Sequence, residues 1–124
     1  MAQVGCGGVL VADTFCGPMR ELPREGELLV VDNMLPGAGG CAANVAIDLA
    51  GLGVSVEVVG CLGRDTSARI VVEGLEARGV GCGPVVYVQD RPTSKTVILI
   101  VEGQDRRYLH TFGANASFTV EHVR

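Results

Sequence analysis

Apolar residues dominate two short runs of the chain, residues 4–11 and residues 54–62, and each run predicts a buried β-strand. The second run is apolar on both faces, as is typical of a strand inside a covered parallel sheet. Between them, residues 42–52 repeat apolar positions at helical spacing, and Gly53 follows as a helix-ending glycine. Residues 27–35 predict a half-exposed strand.

The second half of the chain begins with another helical pattern and then changes to short strands. Thr66 or Ser67 is expected to cap a helix that ends at Gly79. The predicted core face of this helix consists of Ala68, Ile70, Val71 and Leu75. Short strands are predicted at residues 85–88, 96–102 and 106–112, with a hairpin turn at residues 103–105. Thr119, followed by Glu121, predicts the start of a further helix that runs to Arg124. This order of elements predicts an α/β fold with a smaller β-sheet attached.

Composition and charge narrow the class of protein. The chain has 124 residues, of which 48% are apolar, so it can bury a core. Its net charge of -4, without a cluster of basic residues, argues against nucleic acid or an anionic membrane as a partner. The apolar runs are too short to cross a bilayer, and no positively charged secretory start precedes Arg20. We therefore expect a cytoplasmic protein that binds a small molecule.

The cysteines change this picture little. There are five, widely spaced and without a C-x-x-C pair, so we expect small buried thiols, no disulfide framework and no metal site. Cys41 is the exception, because it lies in a run of glycines that is a candidate binding site.

Residues 37–44 are the strongest candidate for a ligand site. Gly39 and Gly40 lack side chains, so a ligand could approach their backbone N–H groups at the start of the predicted helix. Asn44 lies one turn inside that helix, where a polar ligand explains an asparagine better than stability does. The site would therefore bind a polar small molecule, and Cys41 is expected to line it.

Asp13 is the first candidate among the charged residues, since it follows the first predicted strand. Ligands of open α/β sheets bind beyond the carboxyl ends of strands, where a carboxylate can accept hydrogen bonds from hydroxyl groups. Thr96 and Asn115 are further candidates, although strand packing and an Asx turn explain them as well. Asp65 is expected to organise a turn rather than to touch a ligand. Neither histidine has a suggestive partner.

These residues resemble the first signature of the ribokinase-like, or PfkB family, carbohydrate kinases. The signature matches at Gly39, Gly40, Ala42, Asn44, Ala46, Gly53 and Gly63, and the resemblance extends to Asp13, Asp65 and the Gly113-Ala114-Asn115 turn. The resemblance implies a doubly wound α/β sheet with a small β-sheet lid, supplied here by residues 14–35 and 85–112. It also implies ATP-dependent phosphorylation of a sugar or sugar-like hydroxyl, with Asp13, Gly39, Gly40 and Asn44 around the sugar.

One part of the family pattern is missing from these residues. The catalytic signature of such kinases is Gly-Ala-Gly-Asp, whose aspartate deprotonates the sugar hydroxyl. Here Gly37-Ala38-Gly39 is followed by Gly40 and belongs to the sugar-binding region instead, so the catalytic aspartate is expected beyond Arg124. The resemblance therefore implies that residues 1–124 are the N-terminal part of one kinase domain. This part would bind the sugar and supply the lid, be inactive alone, and leave ATP and Mg²⁺ to residues outside this chain.

Two other functions fit parts of the sequence. Gly37-x-Gly39-x-x-Ala42 also matches a dinucleotide-binding fingerprint, with Glu57 as the ribose-binding acid. A non-catalytic half-domain that binds a sugar, or forms a homodimer through the lid hairpin, is the other alternative. The sugar itself is open: ribokinases usually carry lysine at the position of Cys41, and a nucleoside, a fructose derivative, a sugar acid or an inositol are all compatible.

Overall fold

Two small parallel sheets and two helices form the body of the protein in the computed structural model, which describes residues 2–123. The elements of the body are β1 (Val4–Gly7), α1 (Cys41–Gly51), β4 (Val56–Val59), β5 (Cys61–Gly63), α2 (Thr66–Glu76) and β6 (Val86–Val88). Strand β1 pairs with β4 and β5 pairs with β6, both in parallel. Helix α1 packs on β1 and β4, and α2 packs on β5.

A four-stranded sheet, here called the lid sheet, projects from this body. Its strands are β2 (Val11–Met19), β3 (Met34–Gly39), β7 (Lys95–Val101) and β8 (Arg107–Thr111), in the spatial order β3-β2-β7-β8. Only β2 and β7 run parallel, and the two outer strands pair antiparallel with them. The β7–β8 hairpin turns at Gly103, which has a φ of 73°, so the predicted hairpin is confirmed.

The main core lies between the body strands and the two helices. Its fully buried side chains include Leu10, Val58, Leu62, Val71 and Leu75. A second, smaller core of Cys16, Met19 and Val101 lies on one face of the lid sheet. Because the lid sheet has its own apolar cluster on one face, its other face is left to line a cleft with the body.

The predicted first strand, residues 4–11, is wrong in its extent. The chain leaves β1 at Gly7 and enters the lid sheet at Val11, so Asp13 lies inside β2 rather than after the first strand. A similar break divides the predicted strand 54–62 at Gly60, where an added Cβ would lie 2.7 Å from the carbonyl oxygen of Gly8. Both strands are interrupted at the same place because the backbone of Gly60 lies against that of Gly8. The pattern of apolar residues along the chain does not show such a close approach.

The segment before α1 also differs from expectation. Residues 27–33 form no strand, and the strand in this region is Met34–Gly39. Gly37 and Gly39 therefore lie in a strand. Only Gly40, with a φ of 95°, makes the turn into α1. Strand β3 is at the edge of the lid sheet, where Pro36 is tolerated because one side of the strand needs no ladder hydrogen bonds. Residues 86–88, expected in the lid, pair with β5 in the body instead.

Helix α2 matches its predicted span but not its predicted cap. Its buried residues are Ala68, Val71 and Leu75, as expected, and Gly79 follows with a φ of 82°. Ile70, also predicted to belong to the core face, is only half-buried. The N-cap is Asp65, whose Oδ1 accepts a hydrogen bond from the Ala68 N–H at 2.9 Å, not Thr66 or Ser67. An aspartate one residue earlier is an equally good cap, which explains the error.

The segment after β8 consists of two short 3₁₀ helices, Gly113–Ser117 and Val120–Val123. The helix predicted from Thr119 to Arg124 is therefore a 3₁₀ turn over the residues that the structure describes, with the Thr119 N–H donating to Nδ1 of His122 at 2.9 Å. Arg124 lies outside the described residues. The expectation that the catalytic aspartate of the family pattern follows Arg124 thus stays a prediction.

Candidate functional site

A row of polar side chains crosses the lid sheet at the level of Asp13. Asp13 in β2 is paired with Gly37 in β3 and with Thr96 in β7, and Thr96 is paired with His110 in β8. Directly paired residues point to the same face of a sheet, so Asp13, Thr96 and His110 share one face. This row brings together two of the predicted site residues and adds a histidine that the sequence analysis left without a role.

The face that carries Asp13 lines a cleft of about 620 Å³ between the lid sheet and the helices of the body. The polar and charged side chains along this cleft are Asp13, Asn44, Arg78 and Arg106. Apolar contacts come from Phe15, Ile47 and Ile98, and Gly37 leaves open space where a side chain would lie. The cleft therefore has the mixture of apolar walls and a few polar groups that is typical of small-molecule sites.

The carboxylate of Asp13 is partly withdrawn from water. Burial raises its pKa above the ordinary value of 3.8, while the charge of His110 and a hydrogen bond from Thr96 act in the opposite direction. A partly desolvated carboxylate interacts more strongly with a hydroxyl donor than an exposed one does. Asp13 is thus suited to accept hydrogen bonds from a polyhydroxylated ligand.

Thr96 and His110 support this carboxylate from the neighbouring strands. The Thr96 hydroxyl lies 2.7 Å from Nδ1 of His110, and the His110 ring meets the Phe112 ring edge-on with centroids 5.0 Å apart. The polar contacts are all satisfied when Nδ1–H donates to Thr96 and Thr96 donates to Asp13. Thr96 therefore positions the carboxylate of Asp13.

Gly39 and Gly40 are glycines because neighbouring groups occupy the space of a side chain. A Cβ on Gly39 would contact Oδ2 of Asp13 and lie 2.7 Å from its Cγ, and a Cβ on Gly40 would contact the backbone of Val9. Gly40 is also the N-cap of α1, and no side chain caps this helix. The Ala42 N–H at this end of α1 donates to the Val9 carbonyl at 3.3 Å, and the positive end of the α1 dipole lies near Asp13.

Asn44 and Cys41, both on α1, differ in their relation to the cleft. Asn44 is exposed and lines it, in agreement with its predicted position. Cys41 is an exposed free thiol at the start of α1, and it is not among the residues that line the cleft. Its predicted contact with the ligand stays a prediction.

Asn115 is used by the fold itself. Its Oδ1 accepts a hydrogen bond from the Leu10 N–H at 3.2 Å, and its Nδ2 donates to the Leu10 carbonyl at 2.9 Å. Leu10 is fully buried where the chain passes from the body into the lid sheet. The side-chain amide therefore replaces a β-ladder partner at this crossing, and the role of Asn115 in substrate binding stays a prediction.

Asp65 has the structural role that the sequence analysis expected. Besides capping α2, its Oδ2 accepts from the Thr93 N–H at 2.9 Å and its Oδ1 accepts from the Thr93 hydroxyl at 2.7 Å. Burial raises the pKa of Asp65, but the hydrogen bonds from Thr93 and Ala68 together outweigh it, and the pKa lies below 3.8. Asp65 therefore ties α2 to the segment that leads into β7.

We predict that Asp65→Ala lowers the free energy of unfolding by about 1–3 kcal/mol, because it removes a helix cap and leaves the Thr93 N–H and hydroxyl hydrogen without their acceptor. Since the folded state lowers this pKa, the stabilisation is full above the unfolded value and is lost as the pH falls through the folded value. Urea denaturation at pH 7 and pH 3 checks both statements. Asp48→Ala, on the exposed side of α1, is the control. An equal loss in both variants would contradict the prediction.

Three residues near the site were not predicted from the sequence: Arg78, Arg106 and His110. His110 could have been found, because a hairpin centred on Gly103 places Thr96 and His110 opposite each other. The two arginines gave no such signal. One follows α2 and the other lies in the β7–β8 turn, and they line the same cleft only because the lid sheet packs on the body.

The chain is similar in sequence to known proteins. The family described as "pfkB family carbohydrate kinase" matches residues 10–124. A protein of Alcanivorax borkumensis named Bifunctional protein HldE is 40% identical over 77 residues, which are 61% of this chain and 16% of that protein. The ribokinase of Schizosaccharomyces pombe is 29% identical over 97 residues, which are 75% of this chain and 30% of that protein.

Solved structures show the same fold. Arabidopsis thaliana ribokinase, solved with ribose and ATP, superposes with a TM-score of 0.79 at 28% identity and covers 92% of this chain and 37% of that one. Fructokinase from Xylella fastidiosa gives a TM-score of 0.76 at 27% identity, over 96% of this chain and 37% of that one. The fold of this chain is thus that of the matching part of ribokinase and fructokinase structures.

The chain belongs to the pfkB family of carbohydrate kinases. It spans well under half the length of the relatives and structures it matches. Within residues 2–123, no helix is long and apolar enough to cross a membrane. In the same part of the chain, no three His, Cys, Asp or Glu side chains lie close enough to hold a metal ion.

Proposed function

We propose that this chain is the sugar-binding portion and lid of an ATP-dependent carbohydrate kinase. The observation that carries the proposal is the position of the Asp13 carboxylate, partly buried on the cleft face of the lid sheet opposite Asn44 of α1. Carboxylate and amide groups on facing walls accept and donate hydrogen bonds to neighbouring sugar hydroxyls. The N-terminus of α1 adds positive potential at the same end of the cleft.

In this proposal the chain's own residues bind and orient the acceptor sugar. Asp13 accepts from its hydroxyls, Thr96 holds Asp13 in place, and the lid sheet over the cleft excludes water, so that phosphoryl transfer to water is avoided. ATP supplies the phosphoryl group, as expected from relatives solved with ATP. Because residues 2–123 bring together no cluster of metal ligands, we assign no residue of this chain to Mg²⁺. We propose that the chain alone has no turnover and acts in the cytoplasm.

The topology disfavours the dinucleotide alternative. In a dinucleotide-binding unit, the strand before the glycine turn and the strand after the helix share one parallel sheet. Here β3 is an antiparallel edge strand of the lid sheet, whereas β4 pairs with β1 in the body. Glu57 lies inside β4 rather than at its end, which also does not fit a ribose-binding acid.

Titration calorimetry of this chain with neutral sugars, NAD and ATP tests the proposal. We expect a sugar to bind, NAD not to bind, and no ADP to form when ATP and that sugar are present together. NAD binding without sugar binding would overturn the proposal.

We also propose that two copies of the chain form a dimer through the lid sheet, whose edge strand β8 is exposed along its whole length. A molecular mass in solution that rises with protein concentration would support this dimer.

We predict that sugar binding weakens as the pH is lowered. Protonation of Asp13 removes its charge and one acceptor, and because its pKa is raised, this loss begins at a higher pH than for an ordinary aspartate. Calorimetry between pH 7 and pH 4 should show falling affinity in the native chain and a flat profile in Asp13→Asn. A profile that is the same in both chains would contradict the prediction.

A further inference from the structure

The cleft has two positive charges and one negative charge on its walls. Arg78 follows the end of α2 and Arg106 precedes β8, so they approach the cleft from the body and from the lid sheet. Among the residues that the structure describes, Asp13 is the only carboxylate that lines it. The chain as a whole carries a net charge of -4, so this local excess of positive charge is opposite in sign to the rest of the protein.

Neither guanidinium is neutralised by an acidic side chain of the described part of the chain. Within residues 2–123, Arg78 and Arg106 take part in no ion pair, whereas Arg24 is paired with Glu27 at 3.2 Å. The side chain of Arg106 instead lies over the Phe15 ring, with Cζ 5.9 Å from the ring centroid, which holds it against the cleft face of the sheet. Two unpaired guanidinium groups facing one cleft are suited to bind an oxyanion, because each offers a planar fork of N–H donors.

We propose that the acceptor sugar carries an anionic group, a phosphate or a carboxylate, and that Arg78 and Arg106 hold this group while Asp13 accepts from the hydroxyls. The inference rests on the proposed function and makes it more specific. Neutral sugars would use only the Asp13 side of the cleft. Because one guanidinium lies on the body and the other on the lid sheet, the anion also joins the two parts across the cleft.

The test uses matched sets of five-, six- and seven-carbon sugars, each as the neutral sugar, its terminal phosphate and its terminal carboxylate. Calorimetry of the 124-residue chain should show at least one charged member binding tenfold or more tightly than its neutral counterpart. The better of phosphate and carboxylate identifies the anion. Inorganic phosphate, titrated alone, should bind more weakly than the charged sugar because it lacks the hydroxyls.

Arg78→Gln and Arg106→Gln should each weaken binding of the charged sugar about tenfold and leave binding of its neutral counterpart unchanged. Arg107→Gln is the matched control: it removes the same charge one residue from Arg106, but Arg107 is paired with Leu99, outside the cleft face, and donates to Gln104. The variants Arg78→Lys and Arg106→Lys, which keep the charge, should recover part of the affinity. Thermal melts confirm that each variant folds.

The outcomes separate this inference from the proposed function. If neutral sugars bind in an Asp13-dependent way and no charged member binds better, the inference is overturned and the proposed function stands. If Arg107→Gln lowers affinity as much as the cleft variants do, the attraction is a general charge effect and the inference is also overturned. If no sugar of any kind binds, both fail.

Discussion

Asp13→Ala is expected to weaken sugar binding at least tenfold, and by more if the carboxylate accepts from two hydroxyls. Each hydrogen bond to a charged group contributes about 1.5–3 kcal/mol, and tenfold in affinity corresponds to about 1.4 kcal/mol. The side chain is half-buried and its position is set by Thr96, so little rearrangement is needed when the sugar binds. Calorimetry with the best-bound sugar of the panel measures the effect.

Two further variants show whether the loss of sugar affinity comes from removing the charge of Asp13 or from changing the position of that charge. Asp13→Asn keeps the shape and one acceptor, and it should lose nearly as much affinity because the charge assistance disappears. Thr96→Val keeps the charge but removes the hydroxyl that positions it, and it should lose less. Asp48→Ala is the control, since Asp48 lies on α1 outside the cleft. Unchanged affinity in Asp13→Ala would remove this residue from the site.

The stability of Asp13→Ala separates binding from folding. Burial of Asp13 disfavours its charged form, so the folded protein does not depend on this carboxylate for stability. The free energy of unfolding should therefore change little. A large loss of stability would indicate a structural role for Asp13 that its contacts do not show.

The α/β class, both helices and the β7–β8 hairpin could be predicted because each depends on local pattern. Apolar spacing places Val71 and Leu75 on the buried face of α2, and Gly103 sets the hairpin turn. The bounds of the strands could not be predicted where two parts of the backbone meet. Gly60 ends β4 because Gly8 and Leu10 lie against it, and these residues are distant in sequence.

Some residues of the candidate site could be predicted from the sequence, and others could not. Asp13 and Asn44 could be assigned from a resemblance in sequence, and the structure places both on one cleft. The contact of Asn115 with Leu10 joins two segments at the ends of the chain and has no local signal. The same holds for Arg78 and Arg106, which become neighbours of one cleft only when the lid sheet packs over α2. Long-range packing therefore decides which polar residues serve the fold and which face the cleft.

Gly39→Ala should reduce sugar binding about tenfold or more, although Gly39 itself offers no side chain to the ligand. The added methyl group would take the place of Oδ2 of Asp13, and it would lie 2.7 Å from Cγ, so the carboxylate must rotate away from Thr96. The backbone of Gly39 is not in the left-handed region, so the substitution adds little strain of its own. The loss should therefore appear mainly in binding, measured by calorimetry.

Gly40→Ala provides the contrast that tests this explanation. Its φ of 95° and the nearby Val9 backbone, which cannot move as a side chain can, should cost about 1–3 kcal/mol of stability in urea denaturation. Gly5→Ala, in β1 with open space at its Cβ, should change neither stability nor binding appreciably. If Gly39→Ala loses stability as Gly40→Ala does but binds sugar normally when folded, then Gly39 serves the fold alone and does not keep the Asp13 carboxylate in place. If instead Gly39→Ala folds well and binds poorly, the glycine is required because the carboxylate occupies the space beside it.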